Sequence, residues 1–255
     1  MTMTKLIALT HVPSPRMAAA VRTFIDVEPL DLTRITAQHA AYGAALARAG
    51  AQVIELSTNL HHPDAVFIED TAVVLDEVAI LASPGVPSRI PEVAGIASEL
   101  QKHRVESAHI DAPATLEGGD VLRVGRTLFV GATGRTNRAG IEALTRVVAP
   151  YGYEVRPVAV NGCLHLKTGC TALPDGTFLL NPRWVDLPSS LAVDESEPGA
   201  ANVVLVGSRV LMSAAFPRTI ERVRARGFDV DPIDLSELAK AEGSGTCLSL
   251  LFCQT

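Results

Sequence analysis

The sequence predicts an α/β ring of five hairpin-helix-strand modules with pseudo-five-fold symmetry, and three observations carry that prediction. Pairs of short apolar runs recur across tight turns, each pair followed by a helical stretch and a further strand. The turns return at a pitch of about fifty residues, at Asp76-Glu77, Gly125-Arg126 and Pro174-Asp175-Gly176. Finally, Leu6-Ile-Ala-Leu9 near one end of the chain and Thr246-Cys-Leu-Ser-Leu-Leu-Phe252 near the other are both apolar strand patterns, able to pair and close the ring.

Taken in order, strand 6–9 leads to a helix over 33–49 that stops at Gly50, then to strand 52–56. The first whole hairpin joins Thr71-Ala-Val-Val-Leu75 to Val78-Ala-Ile-Leu81, with a helix over 91–102 opened by Pro91 and a strand over 105–110. The second lies within Val121-Leu-Arg-Val-Gly-Arg-Thr-Leu-Phe-Val130, followed by helix 137–149 and strand 154–158. The third turns at 174–176 into Thr177-Phe-Leu-Leu180. A shorter fourth copy pairs Val203-Val-Leu-Val206 with Val210-Leu-Met212, before helix 217–226 and a strand from Asp229. The fifth is divided between the chain ends. No linker or change of composition divides the sequence, so residues 1–255 read as a single domain.

Twenty-two Lys and Arg against 28 Asp and Glu, a net charge of −6, disfavour nucleic acid as a partner. Asp76, Arg126, Asp175 and Arg209 interrupt the apolar segments before any reaches membrane-spanning length, so no membrane partner is expected. The run from Lys5 to Val12 is too short for a secretory signal and meets Pro13, Pro15 and Arg16. Four irregularly spaced cysteines, Cys163, Cys170, Cys247 and Cys253, do not form a disulfide framework, and a reducing cytoplasm fits them best.

Each module sets polar residues just before or within the first strand of its hairpin, where they should converge near the ring axis. They are Asp64-Ala-Val-Phe-Ile-Glu-Asp70, Thr115-Leu-Glu-Gly-Gly-Asp120, Leu164-His-Leu-Lys-Thr-Gly169 and Gly243-Ser-Gly-Thr-Cys-Leu248. A thiol, an imidazole and several carboxylates make the inventory of a cysteine-nucleophile enzyme acting on a charged substrate. A second set, Arg89, Arg135, Arg183 and Arg218, recurs after the second strands.

Phe67-Ile-Glu-Asp70, Leu116-Glu-Gly-Gly-Asp120, Gly134-Arg-Thr-Asn137, Leu164-His-Leu-Lys167 and Gly245-Thr-Cys-Leu-Ser249 together resemble, in collinear order over nearly the whole chain, the motif series of dimethylarginine dimethylaminohydrolases. That resemblance implies a five-bladed α/β-propeller of the guanidino-modifying superfamily and hydrolysis of methylated arginine to citrulline and methylamine or dimethylamine, without cofactor or metal. It implies Cys247 as nucleophile, His165 as acid and base, Glu117 as the partner of His165, and Asp70 as the guanidinium-binding carboxylate. Asp64, Phe67 and Glu69 would line the same pocket, with Arg89 and Arg135 gripping the substrate carboxylate. The expected partner is a small guanidino amino acid, and the reading allows a homodimer.

Plainer assignments stand beside these. Taken alone, Cys247 reads as a core thiol on an apolar strand, and Cys253, farther along it, as a core or terminal surface thiol. Cys163, His165 and Cys170 lack the paired spacing of a zinc site. His61, His62, His103 and His109 read as ordinary histidines, Asp120 as a structural carboxylate, and Arg183 and Arg218 as surface charges. The competing functions are a deiminase of arginine or another guanidino compound and a non-enzymatic propeller binding protein. Deiminases of the superfamily typically carry an acid two residues after the catalytic histidine, where this chain has Lys167. The segment 10–31 is a candidate lid.

Overall fold

The computed structural model describes residues 5–254; the outermost positions of the expected domain, 1–4 and 255, lie outside them. The chain runs through β1 (Leu6–His11), α1 (Leu32–Arg48) and β2 (Gln52–Leu56), then β3 (Ala72–Val74), β4 (Val78–Leu81), α2 (Ile90–Leu100) and β5 (Glu106–His109). There follow β6 (Val121–Val124), β7 (Thr127–Ala132), α3 (Arg138–Val148) and β8 (Glu154–Ala159), and then α4 (Leu166–Gly169), β9 (Cys170–Ala172), β10 (Phe178–Leu180) and β11 (Ser190–Ala192). The last elements are β12 (Val203–Val206), β13 (Arg209–Ser213), α5 (Pro217–Ala225), β14 (Asp229–Ile233), α6 (Ser236–Ala239) and β15 (Leu250–Cys253).

These strands form five three-stranded sheets of one plan, in which the middle strand pairs antiparallel on one side and parallel on the other. In the first sheet β15 takes the place of the hairpin partner, with Leu6 opposite Cys253 and Leu9 opposite Leu250, so the two end segments close the propeller as expected. The first strand of each blade, β3, β6, β9, β12 and β15, lines one central cavity of about 500 Å³. Alternation along a strand splits its side chains between two neighbouring cores. Ile7 and Leu9 pack with Ile68 and Leu250, whereas Ala8 faces Tyr42 and Val204. Each such buried Leu or Ile favours the fold by about 1.5–3 kcal/mol, and thus every blade is held by both neighbours.

Two helix starts, those of α1 and α3, are capped by side chains: Asp31 accepts the Arg34 N–H at 3.1 Å and Asn137 accepts the Gly140 N–H at 2.8 Å. The structure departs from the expected elements in two places. The crossover from β10 to β11 is irregular, with no helix between them. The strand expected over 246–252 begins only at Leu250, because Thr246–Leu248 forms a 3₁₀ turn, and Cys247 therefore sits on a turn above the strand. No helix among the described residues is long and apolar enough to cross a membrane.

Candidate active site

The turn bearing Cys247 belongs to a set. A single helical turn also precedes β3 (Ile68–Thr71), β6 (Gly118–Asp120) and β9 (α4), so four inner strands present short turns at the same end of the axis. They are packed closely: a Cβ on Gly118 would lie 2.0 Å from the Glu69 carbonyl oxygen. Asp120 fastens the neighbouring turn, accepting the Leu166 N–H at 2.9 Å and the Thr133 hydroxyl at 2.6 Å, which makes it the structural carboxylate expected.

These turns bring Asp64, Phe67, Asp70, Arg89, Arg135, His165 and Cys247 around one cavity of about 20 Å³. Glu117 lies fully buried behind it, and its Oε2 bonds His165 Nε2 at 2.6 Å. Its Oε1 accepts the Gly85 N–H at 3.0 Å. Asp70 Oδ1 stands 3.8 Å from the same ring nitrogen and accepts the Gly119 N–H at 3.1 Å. Cys247 Sγ is 3.5 Å from Ser244 Oγ.

Burial works against a charged imidazole, yet Asp70, Asp120 and Glu117 outweigh it and lift His165 to about 9. Asp70 shows the reciprocal effect. Burial would raise its carboxyl, but His165 and the Arg89 guanidinium bring it below the usual carboxylate range. Burial and the charges of Glu69 and Asp70 push the Cys247 thiol up to about 12, so at neutral pH the pair stands as thiol and imidazolium. Asp70, Glu117 and His165 have ligand atoms within 4.8 Å of one another. The 2.6 Å contact of His165 Nε2 with Glu117 ties this trio together. Cys163 and Cys170 donate to backbone carbonyls of His165 and Thr171.

Two expected residues are placed differently from the sequence reading. Glu69 does not line the cavity; its carboxylate accepts Lys167 Nζ at 2.6 Å and Thr246 Oγ1 at 2.7 Å. Lys167 accordingly faces Glu69. Arg89 is committed to Asp70 Oδ2 at 2.6 Å, the Phe67 carbonyl at 2.8 Å and Glu92 Oε2 through both Nε and Nη2. Of the five guanidinium N–H groups, one remains for a substrate, which excludes a two-point grip by Arg89. Arg135 is freer, with Thr23 Oγ1 at 3.0 Å and Glu117 Oε1 at 3.5 Å.

Asn202 was missed. It accepts the Thr246 N–H at 3.0 Å and donates to Thr246 Oγ1 and the Lys167 carbonyl, both at 2.9 Å, so it fixes the nucleophile's turn. Its place just before β12 matches the polar positions of the other blades, which is the signal that could have found it. The segment 12–31 also contributes: Val21 lines the cavity and its N–H reaches Asp64 Oδ1 at 3.1 Å.

No family model matches the chain. An N(G),N(G)-dimethylarginine dimethylaminohydrolase of Streptomyces coelicolor is 40% identical over 247 residues, 95% of each chain. A crystal structure of a dimethylarginine dimethylaminohydrolase, a histidine-to-glycine variant in an adduct with S-methyl-L-thiocitrulline, superposes with a TM-score of 0.93 at 30% identity, covering 98% of this chain and 100% of that one. The Pseudomonas aeruginosa enzyme, a cysteine-to-serine mutant complexed with citrulline, gives a TM-score of 0.91 at 29% identity with the same coverage.

Proposed function

The chain belongs to the dimethylarginine dimethylaminohydrolase family, and from that premise we propose that its single domain hydrolyses mono- or asymmetric dimethylarginine to citrulline with release of methylamine or dimethylamine. The observation that carries the residue assignment is the 2.6 Å contact of a buried imidazole with a buried carboxylate, at a cavity that also holds a cysteine and a second carboxylate. Asp70 takes the guanidinium through paired N–H bonds. Arg135, with the remaining N–H of Arg89, takes the α-carboxylate; Asp64 takes the α-ammonium, and Phe67 packs near the methyl groups.

Before substrate binds, Cys247 is a thiol. A bound guanidinium offsets the negative charges of Glu69 and Asp70 and brings the thiolate within reach of neutral pH, the thiol proton passing to solvent. The thiolate attacks Cζ, forming a C–S bond. His165 gives its proton to the methylated nitrogen, the C–N bond breaks, and the amine departs, leaving an S-alkylthiouronium. The imidazole, now neutral, takes a proton from water as the oxygen bonds to Cζ. The C–S bond then breaks as the new hydroxyl on Cζ gives its proton to the departing sulfur, which releases citrulline and restores the Cys247 thiol. Glu117 holds the ring in one orientation through both proton transfers. All four cysteines are free, which suits a cytoplasmic enzyme whose nucleophile must stay reduced.

Lys167 supports the choice of substrate. It neutralises Glu69 and leaves Asp70 as the carboxylate that needs unsubstituted N–H donors, so the other guanidinium nitrogen can carry methyl groups. Methylarginines should exceed arginine in kcat/KM by at least about tenfold, or ~1.4 kcal/mol in the transition state. A panel of methylarginines, arginine and agmatine, assayed for citrulline and released amine, tests this. Equal or faster turnover of arginine, with ammonia as product, would make the protein a deiminase.

A further inference from the structure

Glu242, just beyond α6, has φ +60°, a left-handed conformation usually left to glycine where a helix ends. The backbone follows a helix-stop pattern: the Glu242 N–H donates to the Ala239 carbonyl at 3.0 Å and the Gly243 N–H to that of Leu238 at 3.1 Å. Nothing in that pattern calls for a carboxylate, and a glycine would meet it without strain.

The side chain supplies the reason. Glu242 lines the cavity, and its Oε2 accepts the Thr23 N–H at 2.8 Å while its Oε1 accepts the Phe24 N–H. Thr23 Oγ1 in turn accepts from Arg135 Nη2, and Val21 donates to Asp64, so the stretch 21–24 lies across the cavity mouth. Apolar burial does not hold it there, because Phe24, Ile25 and Val27 are 53%, 41% and 76% exposed. A cavity of about 20 Å³ has room for about one water, far less than an amino acid as long as arginine needs. This stretch must therefore lift for a ligand to pass.

We propose that Glu242 is the clamp of this lid: a positioning residue that keeps 21–24 closed over Cys247 and sets how fast molecules reach the thiol. It bears its strained backbone for that purpose. The test is alkylation of Cys247 by iodoacetamide, independent of any substrate, in a Cys253→Ser background so that the exposed thiol is silent. In Glu242→Gly the labelling rate should rise about tenfold, since both lid amides lose a charged acceptor. The pH midpoint of labelling should not move, and the melting temperature should stay level or rise as strain is relieved. Hydrogen exchange at Thr23 and Phe24 should quicken in parallel. Glu242→Gln, which keeps one carbonyl oxygen as acceptor, should fall between the two. Labelling at the parent rate in Glu242→Gly would overturn the proposal, and so would faster labelling that comes with a lower melting temperature, which would mark Glu242 as a general structural support.

Discussion

Replacing Gly119 by alanine isolates the part that close packing plays in holding the imidazole. An added Cβ would lie 2.7 Å from Asp70 Oδ1 and 2.8 Å from both Cγ and Nδ1 of His165. Ordinary contact begins at 3.4 Å, so the ring is about 0.6 Å too close and has to give. It has little room to do so, with Nε2 bonded to Glu117 at 2.6 Å and the Leu166 N–H held by Asp120. The backbone itself tolerates alanine, since Gly119 has no left-handed φ. Overpacking of this kind costs about 1–3 kcal/mol of stability, a fall in melting temperature of roughly 2–10 °C for a chain of this size. A displacement approaching 1 Å at a reacting group is worth up to ~10²-fold in rate, and Gly119→Ala should therefore lose about 30- to 100-fold in kcat/KM, measured as citrulline formed from methylarginine. Gly43→Ala serves as the control. It sits inside α1, its added Cβ would meet nothing closer than 4.0 Å, and it should leave activity alone while adding about 0.5–1 kcal/mol of stability. If Gly119→Ala turns over at the parent rate, the imidazole is not held by packing and the geometry argued for His165 is wrong.

Three further outcomes follow from the same contacts. Glu117→Gln should lower the pKa of His165 from about 9, moving the alkaline limb of the kcat profile to lower pH, and paired with His165→Gln it should be strongly non-additive; independent losses would separate the two residues. Arg135→Ala should raise KM and narrow the preference for substrates with a carboxylate over agmatine, whereas Arg89→Ala should destabilise the fold by ~3–5 kcal/mol by stranding Asp70; identical phenotypes would contradict the division of labour drawn here. Because the folded pKa of His165 lies above its ordinary 6.5, its stabilising contribution is complete below about pH 6.5 and is lost as pH rises through 9. Denaturation of parent and His165→Gln across that window should converge at its alkaline end, and a constant gap would refute the shift.

The blades were legible in the sequence because each is built from neighbours. Val121 to Val130 must alternate and turn at Gly125 whatever lies around it, and Asn137 caps α3 with its own side chain. The closing of β15 on β1 was likewise readable from two unpaired apolar patterns. The motif set brought Cys247, His165, Glu117 and Asp70 together in the sequence reading, and the structure gathers them at one end of the axis. What each carboxylate faces was decided by the tertiary structure. Glu69 and Asp70 are adjacent on one short turn, yet Asp70 meets Arg89, 19 residues away, while Glu69 meets Lys167 and Thr246, 98 and 177 residues away. Glu242 escaped notice for the same reason. A buried charge or a close approach is defined by partners from other blades, and periodicity along the chain records the blade a residue belongs to but not the side chains that the ring brings against it.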